Sequence, residues 1–328
     1  MTTAHETAPA NGAASRLEHY PVTFFAIVMG LMGLTLALRA AERAWSLPAM
    51  LSTWSLVLSC GVLVLVTIGY VAKVLRAPGA VAEEWRHPVK VAFFPTISIS
   101  TILLAIVLLP IAPAAAHAFW LIGTVAQGVL ALAVIGVWIG HRPFQTPHLS
   151  PAWFIPAVGN VLVPIAGMEL GYTDLSWLFF SAGLLFWIVL LTLVFNRLVF
   201  HDPLPGKLMP TLTILIAPPA VAYVSWSHMV GDPGPFGQIL LNLAYVFFLI
   251  VLTQAGRIRT LPFALSWWAL SFPVAALAIS SFLHAHHTGS DTYRIIGTLA
   301  LALLAAIIAT LLARTGLAIS RREICQPE

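Results

Sequence analysis

The chain has 328 residues, of which 59% are hydrophobic and only 9% are charged. A soluble globular domain carries roughly 25% charged residues, so this composition excludes a water-soluble protein, and the mean hydropathy of +0.93 agrees. The net charge of +4 does not indicate nucleic acid binding, because the basic residues lie in loops between apolar segments and not on one basic face.

Ten apolar segments follow one another along the chain, each long enough to cross a hydrocarbon core of about 30 Å. The sequence therefore predicts an all-α membrane protein with ten transmembrane helices, and no Asp, Glu, Lys or Arg lies in the central part of any of them. The predicted helices cover 21–40, 51–74, 90–112, 117–140, 151–170, 174–198, 208–229, 236–256, 261–283 and 293–316. We expect one transmembrane domain over 21–316, with short tails over 1–20 and 317–328.

The 16 Lys and Arg residues are distributed unequally between the two ends of these helices. Only Arg39, Arg43 and Arg294 lie on the side opposite the N-terminus, and the other thirteen lie on the side that holds it. Lys and Arg concentrate in cytoplasmic loops. We therefore expect a multi-pass protein of the bacterial inner (cytoplasmic) membrane, with both termini in the cytoplasm.

Proline residues distinguish alternate helices. The odd-numbered helices each have a proline at or near their start, at Pro21, Pro88, Pro151, Pro210 and Pro262. They also carry a second breaker inside, at Gly30 and Gly33, Pro95, Pro156 and Pro164, Pro218 and Pro219, and Pro273. The even-numbered helices contain no interior proline. This alternation predicts five helical hairpins in series.

An interior proline frees backbone carbonyls, which hydrocarbon cannot satisfy. We therefore expect the odd helices on the inside, against protein or a water-filled passage, and the straight even helices facing lipid. Kinks that serve only helix packing are the alternative explanation, and the sequence leaves both open.

Four segments carry a resemblance to a known family: PVTFFAIVMGLMGL (21–34), HPVKVAFFP (87–95), PAWFIPAVGN (151–160) and LSWWALSFPVAALA (265–278). They resemble the tellurite-resistance/dicarboxylate transporter family, which includes bacterial TehA-like proteins and the slow-type anion channels of plant guard cells. The resemblance extends from Tyr20 to about Gly316. It implies five hairpins in a quasi-fivefold arrangement, kinked odd helices lining a central pore, and a homotrimer.

The resemblance also implies gated passage of small monovalent anions such as chloride and nitrate. The phenylalanine that plugs the pore in the channel branch matches Phe272, which is followed by Pro273. A ring at this place would form an apolar constriction, whereas composition alone favours a packing role. In other branches the same fold is linked to malate or sulfite transport.

The predicted pore-lining residues lie around the breakers: Gly30, Phe94, Pro95, Pro156, Gly159, Asn160, Ala217 and Pro218. For Asn160, a hydrogen bond to the backbone at the nearby kink is an equally good interpretation. The hydroxyls of Thr96, Ser98 and Ser100 either face a passing anion or bond back to a helix carbonyl.

Anion preference needs a source of positive potential, because no cationic side chain lies in the central part of a span. The odd helices begin on the cytoplasmic side, so their partly positive amino ends converge there. Lys90, Arg142 and Lys207 are predicted to add to an electropositive cytoplasmic mouth. The positive-inside rule alone accounts for these three residues equally well.

Three classes of function compete. A passive anion channel is the hypothesis that the sequence favours. The alternative is a proton-coupled carrier of dicarboxylate, sulfite or tellurite-related oxyanions, which would ordinarily need a titratable group near the midplane, whereas Glu169 and Asp174 lie at the outer rim. The sequence contains no H-E-x-x-H, G-x-S-x-G or phosphate-binding glycine loop, so we expect no enzyme.

The expected partners follow from the same reasoning. We expect small inorganic anions, the lipid bilayer and further copies of the chain as partners, no nucleic acid and no cofactor. The cluster His284, His286 and His287 lacks a companion Cys or a spaced acid, so a solvated loop is favoured over a metal site.

Overall fold

The computed structural model describes residues 16–140 and 144–326, and its regular structure in these ranges is helical throughout. Two short helices, Pro78–Arg86 and Ala255–Arg259, lie in the connections. The ten long helices are α1 (Phe25–Ala44), α2 (Leu51–Arg76), α3 (Thr96–Leu108), α4 (Pro113–Ile139), α5 (Phe154–Gly167), α6 (Thr173–Phe200), α7 (Ala217–Val230), α8 (Gly234–Thr253), α9 (Ser271–Thr288) and α10 (Asp291–Ser320). This confirms the prediction of an all-α membrane protein.

Every odd-numbered helix is preceded by a 3-10 helix that leads into it. These segments are Val22–Phe24, Lys90–Phe93, Pro151–Trp153, Gly206–Ile216 and Leu265–Leu270. Five of the breaker prolines lie where the helix type changes: Pro95 just before α3, and Pro156, Pro218, Pro219 and Pro273 in the first turns of α5, α7 and α9. The first N–H groups of an α-helix have no partner within it, so proline is tolerated there. At these places the break is a change of helix type, whereas Pro164 lies inside α5.

The odd helices contact one another in a closed ring. Helix α1 packs against α3, α3 against α5, α5 against α7, α7 against α9, and α9 returns to α1. The five 3-10 segments form the same closed succession of contacts. The odd helices therefore begin together at one face of the bundle, which we call the amino face, and run to the opposite carboxyl face. Each even helix packs against the odd helix before it.

Burial separates the two sets of helices as the sequence predicts. In the spans that contain α1, α3, α7 and α9, between 67% and 89% of an apolar 18-residue window is buried, against 22% to 33% in the even spans. All residues of α5 are buried. The odd helices thus form the interior, and the even helices present large apolar side chains such as Leu65 and Leu132 outward.

Nine helices within the described residues are long and apolar enough to span a membrane. The tenth predicted span is the shorter apolar segment Pro151–Gly167. At roughly 2.0 Å per residue in its 3-10 turn and 1.5 Å in α5, it reaches about 27 Å. That length is close to the ~30 Å of a hydrocarbon core, so the segment suits a buried position in the ring better than a lipid-facing one.

A buried ion pair fastens the start of α1 to the end of α2 at the amino face. Lys73 Nζ lies 2.8 Å from Glu84 Oε2, and neither side chain is more than 5% exposed. Glu84 Oε1 accepts a 2.8 Å hydrogen bond from the N–H of Val22, and Lys73 Nζ donates to the carbonyl oxygen of Tyr20 at 2.9 Å. Burial raises the pKa of the Tyr20 phenol to about 12. The cluster therefore fixes the chain where the first 3-10 segment begins.

Candidate functional site

A cavity of about 600 Å³ lies at the carboxyl face, between the ends of all five odd helices. On every odd helix, the lining residue farthest from the carboxyl end is aliphatic. These are Leu36, Ile106, Ile165, Val224 and Ile279. We call the cavity the vestibule and these five residues the aliphatic ring, which forms its floor.

The walls of the vestibule carry most of the polar groups. Arg39, Arg43 and Arg294 line it together with Glu169 and two histidines, His228 and His286. His228 Nδ1 lies 3.5 Å from Glu169 Oε1. The three arginines are the ones that the sequence separates from the other thirteen basic residues. The vestibule therefore combines an apolar floor with basic walls.

Phe272 lies below this floor on the same side of α9. It precedes Ile279 by seven residues, which is two helical turns or about 10 Å along the axis, and residues at this spacing share a helix face. Leu283 and His286, which also line the vestibule, continue the same face. The Phe272 ring is buried and packs against Gly33 of α1, where an added Cβ would lie 3.3 Å from its Cδ2.

Several predicted pore-lining residues lie at contacts between helices. A Cβ on Gly30 would meet Ser271 Oγ and Trp268 of the α9 segment. Phe94 packs edge-on against Trp85, with ring centroids 4.8 Å apart. Pro95, Ala217 and Pro218 are buried at the changes from 3-10 to α-helix in their segments.

The region around Asn160 is organised by Gln127 of α4, which the sequence analysis did not single out. Gln127 Nε2 donates to the Pro156 carbonyl at 2.9 Å and to Asn160 Oδ1 at 3.2 Å, while its Oε1 accepts from Ser98 Oγ at 2.7 Å. A Cβ on Gly159 would lie 2.6 Å from the same amide. One buried side chain of an even helix thus links α3 to the start of α5.

The hydroxyls of α3 follow the backbone-bonding interpretation. Thr96 Oγ1 donates to the Phe93 carbonyl at 2.6 Å, and the one hydroxyl proton of Ser98 is shared between the Pro95 carbonyl at 2.9 Å and Gln127 Oε1 at 2.7 Å. Ser100 Oγ reaches the Phe25 carbonyl of α1 at 3.3 Å. All three are buried.

The residues of the predicted electropositive mouth lie at the amino face. Lys90 begins the second 3-10 segment and is half-buried, and Lys207 lies exposed in the fourth. These two segments are not neighbours in the ring of contacts. Arg142 lies outside the described residues.

The histidine cluster differs from its prediction. His284, His286 and His287 belong to α9 and not to a loop, and His284 is buried with its Nδ1 2.9 Å from the Tyr223 hydroxyl. The expectation of a solvated loop was therefore wrong for His284, because the helix continues to Thr288. No group of three or more metal-ligating side chains occurs among the described residues.

The chain is similar in sequence to known anion channels. A family model described as a voltage-dependent anion channel, SLAC1, matches residues 19–316. The S-type anion channel SLAH3 of Arabidopsis thaliana is 24% identical over 306 residues, or 91% of this chain and 48% of that protein. The guard cell S-type anion channel SLAC1 of the same plant is 24% identical over 82% of this chain and 50% of its own length.

A bacterial relative matches over more of its own length. The tellurite resistance protein TehA homolog of Haemophilus influenzae is 28% identical over 271 residues, which are 81% of each chain. The present chain thus spans about half the length of the two plant relatives and about four-fifths of this bacterial one.

Proposed function

The chain belongs to the SLAC1 family of voltage-dependent anion channels, and from that premise we propose that it passes small monovalent anions through a pore closed by Phe272. The matching family model is described as a voltage-dependent anion channel and the plant relatives are S-type anion channels, which supports a role in anion transport across a membrane. The finer proposal is a passive, gated channel for ions such as chloride and nitrate. Its pore would follow the axis of the odd-helix ring.

The observation that supports this proposal most directly is the position of Phe272. It lies two turns below Ile279 on the helix face that lines the vestibule. A passage continued from the vestibule toward the amino face therefore meets the aliphatic ring first and the Phe272 ring next. An apolar constriction of this kind blocks ions until the ring moves or the space becomes hydrated.

The orientation proposed for the bundle places the amino face in the cytoplasm. Thirteen of the 16 Lys and Arg residues support this, since basic residues accumulate on the cytoplasmic side. The amino ends of five odd helices then offer a partly positive field to a cytoplasmic anion, to which Lys90 and Lys207 add. A bacterial inner-membrane location and a homotrimer are proposed with it, on the resemblance to the TehA-like branch.

The test is anion current through the purified protein in a planar lipid bilayer. Under chloride and nitrate gradients we expect little current from the wild type and a large, anion-selective current from Phe272→Ala. The reason is that alanine removes the ring and leaves a passage that water can fill.

A matched control is Phe247→Ala. Phe247 is also buried but belongs to α8, outside the odd-helix ring. It should lose packing without opening the pore. Equal currents from Phe272→Ala and Phe247→Ala would mean that a general loss of packing causes the leak, and would contradict the assignment of Phe272 as the plug.

A proton-coupled carrier is the second candidate, and one observation favours it. Glu169 and His228 form a titratable pair in the vestibule, with His228 Nδ1 3.5 Å from Glu169 Oε1. A carrier predicts silence of both wild type and Phe272→Ala in the bilayer, together with saturable, proton-dependent uptake of malate or sulfite into vesicles. That combination would replace the channel proposal.

A further inference from the structure

The direction of the odd helices gives the vestibule an unfavourable field for anions. All five odd helices reach the carboxyl face. The unpaired carbonyl groups at the end of each helix together carry a partial negative charge of about half an elementary charge. Glu169 adds a carboxylate to the same cavity. An anion at the amino face meets positive helix ends, whereas an anion at the carboxyl face meets negative ones. A passage used by anions in both directions therefore needs a positive group in the vestibule.

Three arginines lie where that charge is needed. Arg39 and Arg43, one turn apart on α1, and Arg294 on α10 all line the vestibule. Arg39 Nη1 donates to the Val107 carbonyl at 2.8 Å, which is in the last turn of α3. This contact places a cation directly on one of the negative helix ends. No other Lys or Arg is assigned to this side by the sequence.

The three arginines differ in the contacts that their guanidinium groups make within the protein. Arg294 Nη1 lies 2.8 Å from Asp291 Oδ1, and its guanidinium lies 5.3 Å from the centre of the Trp45 ring. Arg39 is held by the Val107 carbonyl. Arg43 is exposed, and within 16–140 and 144–326 its guanidinium has neither a hydrogen bond nor an ion pair. Arg43 is therefore the donor available to a ligand.

We propose that the vestibule is an anion-binding site in which Arg43, supported by Arg39 and Arg294, holds a hydrated inorganic monovalent anion above the aliphatic ring. The inference rests on the proposed function and adds a site at the end of the pore opposite the predicted electropositive mouth. Its volume of about 600 Å³ equals that of roughly 20 liquid waters at about 30 Å³ each. An anion therefore enters with its hydration shell, so arginine attracts it without binding it too tightly for release.

The first test is made in the Phe272→Ala background, with chloride varied separately on each side of the bilayer. Arg43→Gln should raise the half-saturating chloride concentration on the vestibule side roughly fivefold, which is the effect of one charge at about 4 Å in water. The increase should be smaller at high salt, which screens the charge. Titration from the other side should change little. Arg43→Lys should leave the half-saturating chloride concentration close to that of Phe272→Ala alone, because it retains the charge.

Arg76→Gln is the matched control, since it removes the same charge from an exposed position at the end of α2 on the amino face. It should leave the vestibule-side titration unchanged. An Arg43→Gln titration that coincides with that of Arg76→Gln, or an equal change from both sides, would overturn the inference.

The second test does not depend on conduction. Bromide-soaked crystals of the wild type should show an anomalous peak in the vestibule near Arg43, and the peak should weaken in Arg43→Gln. Absence of the wild-type peak would overturn the inference, even if Phe272→Ala conducts. Silence of Phe272→Ala with the bromide peak present would instead contradict the proposed channel and leave the binding site supported.

Discussion

The ring of Phe272 rests on the backbone of Gly33. A Cβ placed on Gly33 would lie 3.3 Å from Phe272 Cδ2 and 2.9 Å from the Cβ of Ala275. A glycine inside a helix costs about 1 kcal/mol relative to alanine, and here it allows α1 and α9 to approach closely enough for the ring to lie between them. The position of the proposed plug is therefore set by a residue more than two hundred positions away in the chain.

Gly33→Ala should displace the Phe272 ring and raise the anion current of the otherwise wild-type protein. The new methyl group is too close to Ala275 for the present helix separation, and such overpacking costs about 1–3 kcal/mol. The measurement is current in a planar bilayer, compared with the same substitution in the Phe272→Ala background. There it should add little, because the ring is already gone.

Gly61→Ala serves as the control, since it lies in an even helix with nothing within 4 Å of an added Cβ. Its current should equal that of the wild type. If Gly33→Ala and Gly61→Ala behave alike, contact with Gly33 does not hold the Phe272 ring in place.

Gln127→Leu should lower the stability of the bundle, because it removes a buried amide that bonds both α3 and α5. Asn160 Oδ1 and the Pro156 carbonyl would each lose a donor, and an unsatisfied buried group costs about 1–3 kcal/mol. Thermal unfolding in detergent should show a lower Tm. Gln238→Leu, at an exposed site in α8, should leave the Tm almost unchanged, and an equal loss in both variants would count against the bridging role of Gln127.

Breaking the ion pair between Lys73 and Glu84 should be strongly destabilising. Removal of one partner leaves a buried charge without compensation, at a cost of about 3–5 kcal/mol. We expect Glu84→Gln and Lys73→Met each to lower the Tm in detergent, and the double variant to lose less than the sum of the two. Glu83→Gln, the exposed neighbour, is the control. Additive losses would mean that the two side chains do not act as a pair.

The sequence predicted the helices and the inner and outer sets because both depend on properties that each residue carries along the chain. Apolar runs give span length, and prolines such as Pro273 are excluded from the middle of a regular α-helix. The change from 3-10 to α-helix at these prolines was not predicted, because the two helix types share nearly the same backbone angles. Only the contacts of the folded ring select between them.

The vestibule could be recognised only in part from the sequence. Arg39, Arg43 and Arg294 already stood out as exceptions to the charge bias, and that was a usable signal of a role beyond topology. The aliphatic ring gave no such signal, because Leu36 and Ile279 are ordinary apolar residues until five helix rotations bring them together. Gln127 was missed for a related reason, since its partners lie on two other helices.

The contact between α1 and α9 also has a consequence for biosynthesis. Chains leave the ribosome from their N-terminus at about 5–20 residues per second, so the first four hairpins reach the bilayer while the circle of odd helices is still open. The last hairpin completes that circle, and the same hairpin brings Phe272. On the proposed function, the nascent chain gains Phe272 in the same step that closes the ring of odd helices. An incompletely synthesised copy therefore never forms an open pore in the membrane.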